Sequence, residues 1–245
     1  MLLLDFDGTL VHLEDNPNGV RLEPAVRQAL VRLTRLPGWS VYVMSGRRLA
    51  DLRPRVRVHG IHLLGLHGWE TRGATLPAAQ KGLLLQAKIW LARRLPNPPE
   101  IRLEDKGCAL AVHFRGARPQ VVRAAEQVVL GALKNFQPGL HLLKGKRIWE
   151  LLPSAITGKG SATLNILGGL PANTLPIYIG DDTSDESAFA VIGHGLAVHV
   201  GGGAKTRAKF YLRDPREVQE LLERLEVVTS CQRAKPHSNS LPHLI

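Results

Sequence analysis

A chain of 245 residues, 44% of them hydrophobic, is long enough for one large α/β domain or for a core carrying a smaller insert. Its apolar runs stop short of the ~20 residues that span a bilayer and its N-terminus lacks a basic n-region, so no membrane attachment and no signal peptide are expected, and the chain is placed in the cytoplasm. The net charge of +11 is carried by arginines scattered along helices, and aromatics are only 5% of residues; a nucleic-acid groove is therefore not expected, whereas attraction of a small anion is.

The first part alternates strands and helices. Met1–Leu4 is apolar throughout, as a buried parallel strand should be. Glu23–Arg35 carries Val26, Leu30 and Leu33 on one helical face, Trp39–Met44 is a second strand, a helix starts near Leu49, and His62–Leu66 is a third strand. This order predicts a parallel sheet with right-handed crossovers.

The middle changes character. Ala78–Arg94 is one helix, stopped by Pro96, Pro98 and Pro99. Glu100–Leu103 and Cys108–Phe114 flank a turn at Glu104–Gly107, Arg118–Leu133 is amphipathic, and Leu140–Leu143 pairs with Arg147–Leu151 around Lys144–Lys146. Two hairpins and two helices predict an α+β cap over 73–155, inserted in a core of 1–72 and 156–228. The parallel pattern resumes with a helix at Ser161–Leu167, a strand at Leu175–Ile179, a helix at Ser184–Val191, a strand at Gly195–Val200 and a last helix at Pro215–Leu225. The polar segment 229–245 is expected to be a flexible tail. Cys108 and Cys231 form no metal-ligand pair, and two reduced thiols are expected.

Chemistry is expected where strands end, because ligands of open α/β sheets sit at the carboxyl edge. Asp5 and Asp7 follow the first strand, with Gly8 and Thr9 directly after them. Ser45, Gly46 and Arg47 follow the second, where a hydroxyl, backbone N–H groups and a guanidinium suit a phosphate. Lys159 stands between two glycines at a helix start, where the macrodipole disfavours a cation, so an anion in the site is the better reason for it. Gly180, Asp181, Asp182 and Asp185 end a buried strand with more acids than a helix cap needs, and hard oxygen ligands suit Mg²⁺.

These segments resemble the motifs of haloacid dehalogenase-type phosphohydrolases, which attack phosphate through an aspartate. The resemblance implies a Rossmann-like parallel-sheet core with an inserted cap, Asp5 as nucleophile, and Asp7 as the acid that protonates the leaving alcohol and then activates water. It also implies Mg²⁺ on Asp5, the backbone carbonyl of Asp7, Asp181 and Asp182, with Lys159 and Ser45 neutralising and holding the phosphate alongside Gly8, Thr9, Gly46 and Arg47. Between Asp182 and Asp185, the choice of which supports the metal and which orients Lys159 is open.

Within that superfamily the resemblance narrows to the trehalose-6-phosphate phosphatase family. It rests on Gly65–Glu70, on the hairpin segments Asp105–Arg115 and Lys144–Pro153, and on Gly180–Glu186, and it extends to about Leu225. It implies hydrolysis of trehalose 6-phosphate to trehalose and phosphate, with a sugar-contacting cap. Glu150 is the first choice for a sugar contact, then Arg115 and Lys106, with His113, Glu70 and His67 also near the cleft. Trp69 stands where the family has a small residue, which keeps open a phosphatase for mannosyl-3-phosphoglycerate or sucrose 6-phosphate. A sugar phosphomutase with the same core and a non-catalytic sugar-phosphate sensor are further alternatives. Because the first strand begins at once, no synthase or regulatory segment is expected ahead of it.

Overall fold

The computed structural model describes residues 1–14, 19–72, 74–96, 99–145, 147–202 and 205–234, with side chains to 228. Pro98, Lys146, the proposed cap boundary at 73 and the tail from 235 onward lie outside them.

Six parallel strands form the main sheet: β1 (Leu2–Asp5), β2 (Val41–Met44), β3 (His62–Leu64), β8 (Ile177–Gly180), β9 (Leu196–Val200) and β10 (Phe210–Leu212). Their order is β10-β9-β8-β1-β2-β3. β1 is buried along its whole length because it has a neighbour on each side and a covered surface on each face. Helices α1 (Pro24–Arg35) and α7 (Pro215–Ala234) pack together over one face, on an apolar cluster that includes Leu2, Leu4, Val26, Leu30, Val218 and Leu222. On the opposite face Leu3, Met44 and Tyr178 join Phe189 and Ile192, with Ala162 and Ile166 of α5 (Lys159–Gly168) against them. The chain runs outward from β1 to β3 and later outward from β8 to β10, so the strand order reverses between β1 and β8. A crevice opens at such a switch point, beyond the carboxyl ends of the two strands.

A second sheet is antiparallel, in the order β4-β5-β7-β6: β4 (Arg102–Asp105), β5 (Leu110–His113), β6 (Leu140–Lys144) and β7 (Ile148–Pro153). Helices α3 (Ala78–Ala92) and α4 (Pro119–Phe136) cover one face and enclose a separate apolar cluster containing Leu84, Leu91, Val112, Val129, Trp149 and Leu151. The sheet's period of two places Glu104, Ala111, Glu150 and Leu143 in one cross-strand row on the uncovered face, with Arg102, His113 and Ile148 in the next.

Four expectations need correction. β10 adds an edge strand of three residues, too short and too exposed to show an alternating pattern. The third strand ends at Leu64, and Leu66–Gly68 form a 3₁₀ turn with Leu66 and His67 at φ 46° and 58°. The helix after β8 is split into a 3₁₀ turn, Thr183–Asp185, and α6 (Glu186–Phe189). Finally, α7 runs on to Ala234, into the segment expected to be a tail, because no helix breaker occurs before Pro236. Among the described residues, no helix is long and apolar enough to cross a membrane.

Candidate active site

β1 and β8 bring the first and last motifs together. Leu4 pairs with Ile179, so the chain beyond each strand delivers Asp5 and Asp181 to one spot. Glycine is required at two positions by close approach. A Cβ on Gly8 (φ +88°) would lie 2.3 Å from Asp181 Oδ2, and one on Gly180 would lie 2.3 Å from Asp185 Cγ.

Lys159, the first residue of α5, reaches into this spot. Its Nζ donates to Asp5 Oδ1 at 2.6 Å and to Asp185 Oδ1 at 2.7 Å. Asp185 also accepts from the Tyr178 hydroxyl at 2.8 Å and, through Oδ2, from the Asp182 N–H at 3.0 Å. Asp5, Lys159, Tyr178, Asp181 and Asp185 are all buried. Burial alone would drive a proton off Lys159, but the charges of Asp185 and Asp5 outweigh it and hold the ammonium. Burial raises the Asp5 carboxyl strongly; Lys159 opposes this, while Asp185 and Asp181 add to it. Burial, then Asp185, keeps Tyr178 a phenol.

The site therefore holds three buried carboxylates against one ammonium. Ligand oxygens of Asp5, Asp181 and Asp185 lie within 4.8 Å of one another. That donor set fits a hard divalent cation, which would supply the missing positive charge. Both Asp185 oxygens already accept hydrogen bonds, so Asp185 can hold Lys159 while Asp5 and Asp181 could serve as ligands to such a cation. The Asp182 carboxylate instead makes a reciprocal capping box with Asp185 at the 3₁₀ turn and lies against Gly145 of the cap hairpin.

The remaining core residues surround this centre. Ser45 is buried at the end of β2 and accepts the Arg47 N–H at 3.1 Å. Thr9 is fully buried, and its hydroxyl has no hydrogen-bond partner among the described residues. Arg47, expected on phosphate, instead grips Asp7: Nε and Nη2 donate to its two oxygens at 2.7 and 2.6 Å.

The second sheet closes over the site. Glu150 accepts from Lys106 Nζ at 2.5 Å and pairs with His67 Nε2 at 2.6 Å, and Lys106 also donates to the Gly46 carbonyl at 2.9 Å. Burial would protonate Glu150, but the charges of Lys106 and His67 outweigh it and hold the carboxyl far below the usual range. Thr183 Oγ1 donates to the Lys144 carbonyl at 2.6 Å, a further bond between the two units.

The other expected sugar contacts are placed differently. Glu70 accepts the Leu49 N–H at 2.6 Å and an Arg48 N–H at 3.3 Å, so its carboxylate is engaged at the start of α2 (Leu49–Val56). His113 pairs with Glu104 across the hairpin at 2.6 Å, and that bond lowers the Glu104 carboxyl. Arg115 donates to the Glu14 carbonyl at 3.3 Å, at the protein surface. Trp69 packs on the cap's apolar cluster. Tyr178 was not expected in the site. It sits inside an apolar strand, where only its hydroxyl hinted at a partner.

The fold is an α/β core built on one parallel sheet and carrying an α+β cap, with the candidate site at the carboxyl edge of that sheet. The C-terminal domain of trehalose-6-phosphate phosphatase from C. albicans superposes with a TM-score of 0.82 at 21% identity, over 93% of this chain and 92% of that one. A trehalose-6-phosphate phosphatase from Aspergillus fumigatus gives a TM-score of 0.64 at 23% identity, over 93% and 92%. A haloacid dehalogenase-like hydrolase from Bacteroides thetaiotaomicron gives 0.63 at 16%, over 91% and 98%. These likenesses establish the fold.

Sequence comparison is more specific. The trehalose-phosphatase family matches residues 3–215. Trehalose-phosphate phosphatase of Mycobacterium tuberculosis is 35% identical over 241 residues, which is 91% of this chain and 60% of that protein. That of Mycobacterium leprae is 33% identical over 254 residues, 91% of this chain and 57% of that one. The chain belongs to the trehalose-phosphatase family, and it spans about 60% of the length of the curated relatives it matches.

Proposed function

We propose that this chain is a Mg²⁺-dependent phosphatase that hydrolyses trehalose 6-phosphate to trehalose and phosphate. The observation that carries the reading is the buried Asp5–Lys159–Asp185 array beside Asp181, together with the cap's Glu150 and Lys106 bonded to His67 and to the Gly46 carbonyl of the core. The core comprises 1–72 and 156–228, and the cap 73–155.

Asp5 attacks phosphorus in line, the ester oxygen leaves, and an aspartyl-phosphate forms on Asp5. Asp7 gives its proton to the departing sugar oxygen, then takes one from the water that hydrolyses the acyl phosphate. An anionic nucleophile approaching a phosphate must have its repulsion offset. Lys159 contributes a charge fixed in place before substrate arrives, and Ser45, Thr9 and the backbone of Gly8 and Gly46 can hold phosphate oxygens. Mg²⁺ held by Asp5, Asp181 and the Asp7 carbonyl would supply the larger share of that neutralisation. Sugar hydroxyls would exchange for the contacts that Glu150, Lys106 and His67 now make with one another. Since Trp69 is engaged with the cap's interior, the residue that suggested another glycosyl phosphate gives that alternative no support.

The test is phosphate release across a panel of sugar phosphates, with Mg²⁺ and then with EDTA. Selective, EDTA-sensitive release from trehalose 6-phosphate supports the reading. EDTA-sensitive release from a different sugar phosphate keeps the chemistry and removes the substrate, and isomerised sugar phosphate without release marks a mutase.

A further inference from the structure

Behind Asp7 lies a chain of alternating charges that the reaction as described does not use. Arg47 straddles both oxygens of Asp7, and its Nη1 donates to Asp51 Oδ2 at 2.9 Å. Asp51 accepts from Arg55 as well, Oδ1 from Nη2 at 2.6 Å and Oδ2 from Nε at 3.2 Å. Arg55 Nη1 donates to the Val20 carbonyl at 2.9 Å. The Phe6 ring lies 5.7 Å from the Arg47 guanidinium carbon. The spacing is helical: Asp51 stands in the first turn of α2, with Arg47 four residues before it and Arg55 four after.

The arginines are the enclosed members of this chain. Side-chain exposure is 13% for Arg47 and 9% for Arg55, against 41% for Asp51. Burial opposes ionisation of Asp51, but the hydrogen bonds from Arg55 and Arg47 outweigh it and keep its carboxyl below the usual range. A planar guanidinium bonded to both oxygens of a carboxylate fixes the plane of that carboxylate. A guanidinium gripped from behind cannot turn, so the orientation of Asp7 is set from Asp51.

We propose that Asp51, backed by Arg55, is a positioning residue for the acid–base group Asp7, acting through Arg47 and touching no reacting atom. The inference rests on the reading of Asp7 as the group that protonates the leaving oxygen. Proton donation matters for a sugar alkoxide, which leaves poorly, and hardly at all for p-nitrophenolate, which leaves without a proton. In the first step, formation of the aspartyl-phosphate, loss of Asp51 therefore discriminates between substrates; in the second, where Asp7 takes a proton from water, both substrates share one intermediate and are slowed alike.

The experiment compares the single-turnover rate of leaving-group release by the Mg²⁺-loaded full chain in excess, trehalose from trehalose 6-phosphate and p-nitrophenolate from p-nitrophenyl phosphate, and the half-saturating concentration for each. Asp51→Asn should lower the single-turnover release rate on the sugar phosphate by about 10-fold, with both half-saturating concentrations and the p-nitrophenolate release rate within about 2-fold of wild type. Asp51→Glu, which keeps the charge, should recover most of the loss. Asp51→Ser, polar and small at the same helix turn, should repeat the substrate-dependent loss and serves if the Asn variant folds poorly. Equal losses of the release rate on both substrates, a change in the half-saturating concentration alone, or no change on either overturns the proposal. The wild type controls for the function itself: if it releases nothing from trehalose 6-phosphate, the substrate assignment fails, and the Asp51 comparison is made on the sugar phosphate it does cleave.

Discussion

The molecule has two clusters of buried charge, and they are built in opposite ways. In the core, Asp5, Lys159, Asp181 and Asp185 lie together at one end of the parallel sheet, and the Lys159 bonds to Asp5 and Asp185 are made within the core. At the cap interface, Glu150 and Lys106 meet His67 and the Gly46 carbonyl, so the cluster exists only while two separately packed units are together. On the proposed reading, the first is preorganised for the phosphoryl group that every substrate would share. On the proposed reading, the second pairs polar groups that a sugar could replace, which would place selectivity at the cap interface. The contrast follows from physics: reorganising charges at the reacting centre would cost rate, whereas exchanging hydrogen bonds at the interface costs little.

Breaking the core cluster should have the largest effect. Asp5→Asn should lower phosphate release by roughly 10⁴-fold or more while sugar-phosphate binding, measured by calorimetry, survives. Gly8→Ala should be nearly as damaging, because its methyl group would meet the Asp181 carboxylate in a backbone conformation alanine resists; loss of activity with reduced metal affinity is the expected readout.

Breaking the interface cluster should act on substrate recognition. Glu150→Gln leaves Lys106 without its carboxylate and should lower kcat/KM for trehalose 6-phosphate by about 10- to 100-fold, with a much smaller change for p-nitrophenyl phosphate. Acid should reach the same cluster without mutation. Glu150 is held below its unfolded pKa, so its contribution to stability is complete above the ordinary carboxylate range and is lost as pH falls toward its native value. Thermal unfolding between pH 7 and pH 3 should therefore show a fall in Tm that is smaller in Glu150→Gln. The smallest effect is expected for Thr183→Val, which removes one bond from core to cap, worth about 1 kcal/mol, and should raise KM slightly.

The candidate site at the sheet edge was legible because its residues follow apolar strands directly: Asp5 after Leu4, Ser45 after Met44, Asp181 after Gly180. The fold was legible for the same reason, through the alternation of strand and helix and its interruption by two hairpins. What sequence could not show are contacts that only packing creates. Asp185 and Asp182 look alike in sequence, and only the folded turn turns Asp185 toward Lys159 and Asp182 toward the cap. Arg47 follows the serine as a phosphate ligand would, yet the neighbouring strands bring Asp7 within its reach. Tyr178 belongs by composition to the core, and its hydroxyl gains a role only because Asp185 folds back over β8. Glu70 lies in a segment typical of the family, but its carboxylate is needed at the start of α2.

The most direct test of the central claim, that Asp5 is a preorganised nucleophile, is rapid-quench trapping of the enzyme during turnover of phosphate-labelled trehalose 6-phosphate, followed by peptide mapping. A transient, hydroxylamine-sensitive label is expected on the peptide containing Asp5, absent in Asp5→Asn. Turnover with no labelled protein at any time point, or label on another residue, would contradict it.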